Sequence, residues 1–217
     1  VADRHPDPAV RREADMLVAL MTPVVKAAFT DFGFEVAVTS QQVLGGHGYI
    51  REWGMEQYVR DARIAQIYEG TNGVQAMDLV GRKLGLDGGA LPARFFALMR
   101  AELDAALPSA GADIVGPVVE ALAGLERATQ RLASAGGAIE AGAAATDYLR
   151  LFALVSFGWM WARMAAAAPA SGATPAEARK GALARFYVQR MLPQALGLET
   201  ALAYGAPTLM ALPAEAF

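Results

Sequence analysis

Residues 42–83 read QVLGGHGYIREWGMEQYVRDARIAQIYEGTNGVQAMDLVGRK, and this stretch decides the fold. Near its end, Val74, Met77, Val80, Gly81 and Leu84 recur at helical spacing, and Asn72 or Thr71 just before them can cap a helix. Glu69 therefore stands at a predicted helix entrance, on a bend that Gly70 and Gly73 make possible. A carboxylate whose main chain is held there suits a general base that must meet one particular proton. At the other end, Gly45-Gly46 stops a predicted helix over Phe34–Leu44 and leaves bare backbone. A phosphate or a flat ring can approach such backbone closely, although a simple helix stop also accounts for the pair.

Three blocks carry more information together than apart. They are Gln42-Val43-Leu44-Gly45-Gly46-His47-Gly48-Tyr49, Arg60-Asp61-Ala62-Arg63-Ile64, and Ile67-Tyr68-Glu69-Gly70-Thr71-Asn72-Gly73. In this order and spacing they resemble the carboxy-terminal domain of the acyl-CoA dehydrogenases, a family of flavoenzymes. The resemblance is clearest over residues 7–85. Residues 86–217 look like the helical region that follows this domain in longer members. The resemblance implies a dehydrogenase that uses FAD to introduce an α,β-double bond into an acyl-CoA thioester, with Glu69 as the base that takes the α-proton. It further implies that Gln42, Gly45 and Gly46 touch the adenine-diphosphate half of a neighbouring subunit's FAD. Thr71 matches the threonine that contacts the flavin nucleotide. The resemblance implies that Tyr68 and Gly70 fall beside the acyl-CoA substrate, although a core aromatic accounts for Tyr68 equally well. Some relatives carry a glutamine where this chain has Gly73, so one side-chain contact of the family is absent or replaced. An electron-transferring flavoprotein as acceptor and a homodimer or homotetramer are implied as well. No metal is expected.

Bulk properties agree with a globular chain. Of 217 residues, 54% are hydrophobic, and the mean hydropathy of +0.27 provides ample core. The net charge of -3 and pI near 5.5 do not suit a nucleic-acid binder. The absence of cysteine excludes disulfides and thiolate chemistry, and fits the cytoplasm. The most apolar run, Leu151–Ala168, is interrupted by Arg163 and reads as a buried bundle helix, so no membrane span is expected. The polar opening VADRHPDP is no signal peptide. An opening at Val1 predicts a carboxy-terminal fragment, preceded in the family by a helical domain, a β-domain and this domain's own first helices. An incomplete active site, inactive alone, is the expectation.

The rest of the chain reads as helices throughout. Val10, Ala14, Leu17, Met21, Val24 and Ala28 predict a helix over 8–31, kinked or restarted near Thr22 by Pro23 and broken at Gly33. His47 reads as a polar cap without a catalytic role. Arg60, Asp61 and Arg63 predict a structural ion pair. GLDGG at 85–89 is the best internal boundary, dividing a unit 1–85 from a unit 86–217. Leu91-Pro92 and Pro117 each open a helix, and Gly136-Gly137 ends the second. Aromatic density in 140–168 predicts core packing. Thr174-Pro175-Ala176-Glu177 forms a capping box for a helix that Pro193 stops, and a short helix over 194–204 follows. The expected fold is all-α: an up-down helical bundle followed by a second helical bundle. A competing reading is a non-catalytic oligomerisation or binding module on the same architecture, including a DNA-binding relative from alkylation damage responses. The charge and the retained Glu69 argue against the latter.

Overall fold

The computed structural model describes residues 3–168 and 174–216; Val1 lies outside them. No strand occurs among the described residues, and the chain is all-α as the periodicity predicts.

Helix α1 spans Pro8–Val43 without interruption. Asp7 starts it: its carboxylate accepts from the Ala9 amide at 2.8 Å, and Pro8 occupies the first turn. The expected restart at Pro23 and break at Gly33 do not occur. An interior proline costs about 3 kcal/mol and a glycine about 1 kcal/mol relative to alanine. Burial of Leu20, Val24, Ala27 and Ala28 against other helices offsets that local cost. Propensity loses to packing along this helix.

The Gly45-Gly46 stop forms as predicted. Gly45 adopts φ 58°, and a single turn, α2 (Gly46–Tyr49), follows. Helix α3 (Met55–Ala65) returns along α1. Helix α4 (Asn72–Asp78) continues through a π-helical turn, Leu79–Lys83. The GLDGG stretch turns the chain through three consecutive left-handed residues, Asp87, Gly88 and Gly89.

Helices α5 (Ala90–Ala110) and α6 (Ala112–Ala135) form a hairpin. Pro117 lies inside α6 rather than opening it; Gly111, with φ 92°, precedes the helix. Helix α7 (Ala138–Ala167) is the centre of the molecule. It packs against α1, α4, α5, α6, α8 (Pro175–Phe186) and α9 (Gln194–Leu202). This explains why its sequence is apolar all round. Phe95 stacks on Phe152 at 5.8 Å and meets Trp159 edge-on at 5.6 Å, so the aromatics fill core as predicted. The Tyr148 hydroxyl pairs with Thr129 Oγ1 at 2.6 Å, and the Tyr187 hydroxyl donates to the Leu154 carbonyl at 2.8 Å. The capping box forms in full: Glu177 accepts from the Thr174 amide at 2.8 Å while Thr174 Oγ1 accepts from the Glu177 amide at 3.3 Å. Helix α8 ends in a π-helical turn, Tyr187–Met191, before Pro193.

One buried cluster runs from Leu20 to Leu202. Arg150 ties α7 to α1, donating to Glu35 at 2.9 Å and lying over the Phe32 ring. By length and apolarity alone, α1 rather than the Leu151–Ala168 run meets the measure of a membrane-crossing helix, with a window hydropathy of 1.4. Its outer face is apolar and uncovered: Val18, Val25, Phe29, Val36 and Val43 are all exposed, Val43 to 81%.

Candidate active site

The turn between α3 and α4 is built from the end of α3 outward. The Ile67 and Tyr68 amides both donate to the Ile64 carbonyl, at 2.9 and 3.1 Å, closing the helix. The backbone then enters the left-handed region twice, at Glu69 with φ 56° and at Gly70 with φ 80°. For glycine this is cheap; for glutamate it costs about 1–3 kcal/mol. Thr71 caps α4, its hydroxyl oxygen accepting from the Val74 amide at 3.4 Å. The Asn72 amide donates back to the Gln66 carbonyl at 3.1 Å, which shuts the loop.

The strained pair is held from two sides. The Glu69 carbonyl accepts from Gln75 Nε2 at 3.1 Å, and the Gly70 carbonyl accepts from Lys26 Nζ at 2.8 Å. A Cβ on Gly70 would stand 2.9 Å from Gln75 Nε2, which can swing aside at the cost of its bond to Glu69, so it is φ rather than space that favours glycine here. Gly73, expected to shape the bend, is helical inside α4. The bend belongs to Glu69 and Gly70 because the Thr71 cap already commits the next residues to helix.

Behind the turn lies a half-buried polar cluster. Lys26 Nζ also donates to Asn72 Oδ1 at 2.7 Å, and Asn72 Nδ2 faces Asp31 Oδ1 at 2.6 Å and Thr30 Oγ1 at 2.9 Å. Gln66 Nε2 donates to Asp31 Oδ1 at 2.6 Å. A cavity of about 210 Å³ adjoins the cluster between α1, α4 and α7, lined in part by Asp31, Asn72, Thr146 and Arg150. Sequence reasoning missed these partners. A signal was present: Lys26 and Asp31 are the only charged residues between Asp15 and Glu35.

The other predicted residues are placed as follows. Glu69, Tyr68, Gly70 and Thr71 share one exposed turn, and the Glu69 carboxylate makes no hydrogen bond among the described residues. Its backbone is held, but its side chain is free. Gln42, Gly45 and Gly46 lie together at the far end of α1. Asn72 touches α1 at Ala27–Asp31, so the two groups are separated by roughly 16–27 Å along the helix. No single phosphate reaches both. An added Cβ would meet nothing within 4 Å at either Gly45 or Gly46, so their backbone is open to a ligand. Gly48, in contrast, is buried against Gln41, whose Nε2 donates to its carbonyl at 3.2 Å. His47 meets the Trp53 ring edge-on at 5.0 Å. The ion pair expected of Arg60, Asp61 and Arg63 is absent among the described residues. Asp61 accepts from Gln57 Nε2 at 2.7 Å and Arg63 donates to Gln66 at 2.9 Å, because helical spacing along α3 offers these partners first.

Comparisons with known proteins agree with this architecture. The family described as acetyl-CoA dehydrogenase C-terminal like matches residues 95–213. The acyl-CoA dehydrogenase C-terminal domain matches residues 9–84. A 3-methylmercaptopropionyl-CoA dehydrogenase of Ruegeria pomeroyi is 35% identical over 88% of this chain and 34% of its own length. A broad-specificity linear acyl-CoA dehydrogenase of Mycobacterium tuberculosis is 32% identical over 80% of this chain and 31% of its own. A butyryl-CoA dehydrogenase of Syntrophomonas wolfei is 35% identical over only 38% of this chain. The chain thus spans about a third of the length of the first two relatives. With both halves matched and the helical architecture in place, the chain belongs to the acyl-CoA dehydrogenase family.

Proposed function

We propose that this chain supplies the proton-abstracting part of an FAD-dependent acyl-CoA dehydrogenase, with Glu69 as the base. The observation that carries this reading is the clamped left-handed pair Glu69-Gly70, a costly backbone conformation fixed by Lys26 and Gln75. Such a turn aims one side chain from a rigid base. Among the described residues the Glu69 carboxylate has no partner to compete for the substrate's α-proton. A thioester α-proton is weakly acidic, so the carboxylate serves only where water is excluded and the developing enolate oxygen is hydrogen-bonded. Tyr68 and Gly70, on the same turn, are proposed to border the acyl-CoA.

The residues present fit a flavin nucleotide. Gly45 and Gly46 offer uncovered backbone, and Thr71 uses only its oxygen in capping α4, which leaves its hydroxyl hydrogen to donate. Gln42 adjoins that turn. FAD, when bound, would accept the β-hydrogen as hydride. The separation of the Gly45-Gly46 turn from Thr71 supports two different cofactor molecules contacting one chain, and hence a homodimer or homotetramer. The exposed apolar stripe of α1 favours such association. Because that helix also sends Lys26 and Asp31 into the polar cluster, protein rather than lipid is the proposed cover. The division into a unit 1–85 that bears the base and a unit 86–217 that braces it, an electron-transferring flavoprotein as acceptor, and a cytoplasmic setting belong to the same proposal.

The decisive experiment is Glu69→Gln in the complete protein. FAD should remain bound while reduction by acyl-CoA disappears; unchanged turnover would sink the assignment. A flavin spectrum of this chain with added FAD tests whether the half-sites present suffice for binding.

A further inference from the structure

We infer that Lys26 and Asn72 are positioning residues for Glu69: the Asn72 amide bridges the opposite charges of Lys26 and Asp31, and this assembly locks the turn carrying Glu69. This rests on the proposed role of Glu69.

Lys26 has no carboxylate partner and Asp31 no cationic one among the salt bridges of the described residues. Yet both address the same side chain. Asn72 Oδ1 accepts from Lys26 Nζ at 2.7 Å, and Asn72 Nδ2 donates to Asp31 Oδ1 at 2.6 Å. Only this orientation of the amide puts an acceptor on the cation and a donor on the anion. The side-chain dipole therefore lies along the field between two opposite charges. Each bond is charge-assisted, and neither charge is left without a partner. Gln66 Nε2 adds a second donor to Asp31 Oδ1 at 2.6 Å.

The consequence reaches the reacting turn through one atom. Having been placed by Asn72, Lys26 Nζ spends a second hydrogen on the Gly70 carbonyl at 2.8 Å. That carbonyl closes the left-handed pair. The Asn72 main-chain amide, bonded to Gln66, pins the exit of the same turn. Lys26, 44 positions before Gly70 and 46 before Asn72, thus holds the backbone from which Glu69 projects.

The test uses the complete protein with Lys26→Met and Lys26→Arg, beside Glu69→Gln. Amide hydrogen exchange is followed over residues 68–74, with α7 as internal reference. Lys26→Met is expected to speed exchange in the turn by about tenfold while α7 is unchanged. It should lower kcat by about tenfold or more with KM within about twofold, because orientation and not affinity is lost. Lys26→Arg, which keeps the charge and the donors, should recover part of both. Unchanged exchange in 68–74 overturns the inference. So does exchange that rises equally in α7, which would mark a general loss of stability, or faster exchange in the turn with kcat untouched. If Lys26→Met does not fold, Gln75→Met removes the other side of the clamp and is expected to show the same signature at about threefold. Full turnover in Glu69→Gln would defeat the base assignment alone; the exchange data still decide whether Lys26 holds the turn.

Discussion

Gly48 sits so close to Gln41 that any side chain at 48 would collide with the Gln41 main-chain carbonyl, while the Gln41 side chain donates to the Gly48 carbonyl at 3.2 Å. The obstacle is backbone, which cannot rotate away. Gly48→Ala should therefore destabilise the chain by about 1–3 kcal/mol, measured by urea denaturation. Gly46→Ala, two residues earlier, meets nothing within 4 Å and should change stability by less than about 0.5 kcal/mol. If Gly46 serves a cofactor diphosphate as proposed, the same variant should weaken FAD binding measured by fluorescence titration. Two glycines in one short motif would then separate into a folding role and a binding role.

Gly33 gives a prediction of opposite sign. It is helical, exposed, and an added Cβ would meet nothing within 4 Å. Gly33→Ala should stabilise this chain by about 0.5–1 kcal/mol, chiefly by restricting the unfolded state. Thermal unfolding followed by circular dichroism would show the rise.

Acid should loosen specific helix ends first. Hydrogen bonds from the Thr174 amide and hydroxyl hold the Glu177 carboxyl below its ordinary value of 4.5. The Arg82 guanidinium, 2.6 Å away, does the same for Asp78, whose ordinary value is 3.8. A folded value lower than the unfolded one means stability that is present above the unfolded value and lost as pH falls through the folded one. The start of α8 should therefore fray as pH drops below about 4.5, and Glu177→Gln should remove that pH dependence from its amide exchange.

Alkali acts on the core instead. Burial pushes the hydroxyls of Tyr148 and Tyr187 well above the usual tyrosine range, against the lowering effect of Thr129 on Tyr148. Here the sign reverses: stability is complete below the ordinary value near 10 and is lost as pH rises toward the folded value. In a spectrophotometric titration, Tyr148→Phe should remove absorbance only from the step that accompanies alkaline unfolding. Because Thr129 retains its bond to the Leu125 carbonyl at 2.7 Å, that variant should cost only about 1 kcal/mol.

The readable features were those whose cause is local. Thr174 and Glu177 stand three residues apart and satisfy each other, so the capping box was legible. Gly45 and Gly136 ended their helices for the same reason, each at a positive φ. The unbroken path of α1 through Pro23 and Gly33 was not legible, because the local rule says stop and only packing against distant helices overrules it. The ion pair expected within the charged triplet at 60–63 failed likewise, since Asp61 and Arg63 each found a nearer glutamine. Around the candidate site, Glu69, Gly70 and the Thr71 cap follow from their neighbours. Lys26, Asp31 and Asn72 do not, for their meeting joins residues more than forty positions apart.

The central place of α7 has a thermodynamic consequence. Its residues pack against α1 and α4 and also against α5, α6, α8 and α9, within a single buried cluster. Neither set of helices can separate without turning apolar faces of α7 to water. Loss of one set therefore withdraws the support of the other, and the chain should melt in one cooperative transition whose calorimetric and van't Hoff enthalpies coincide.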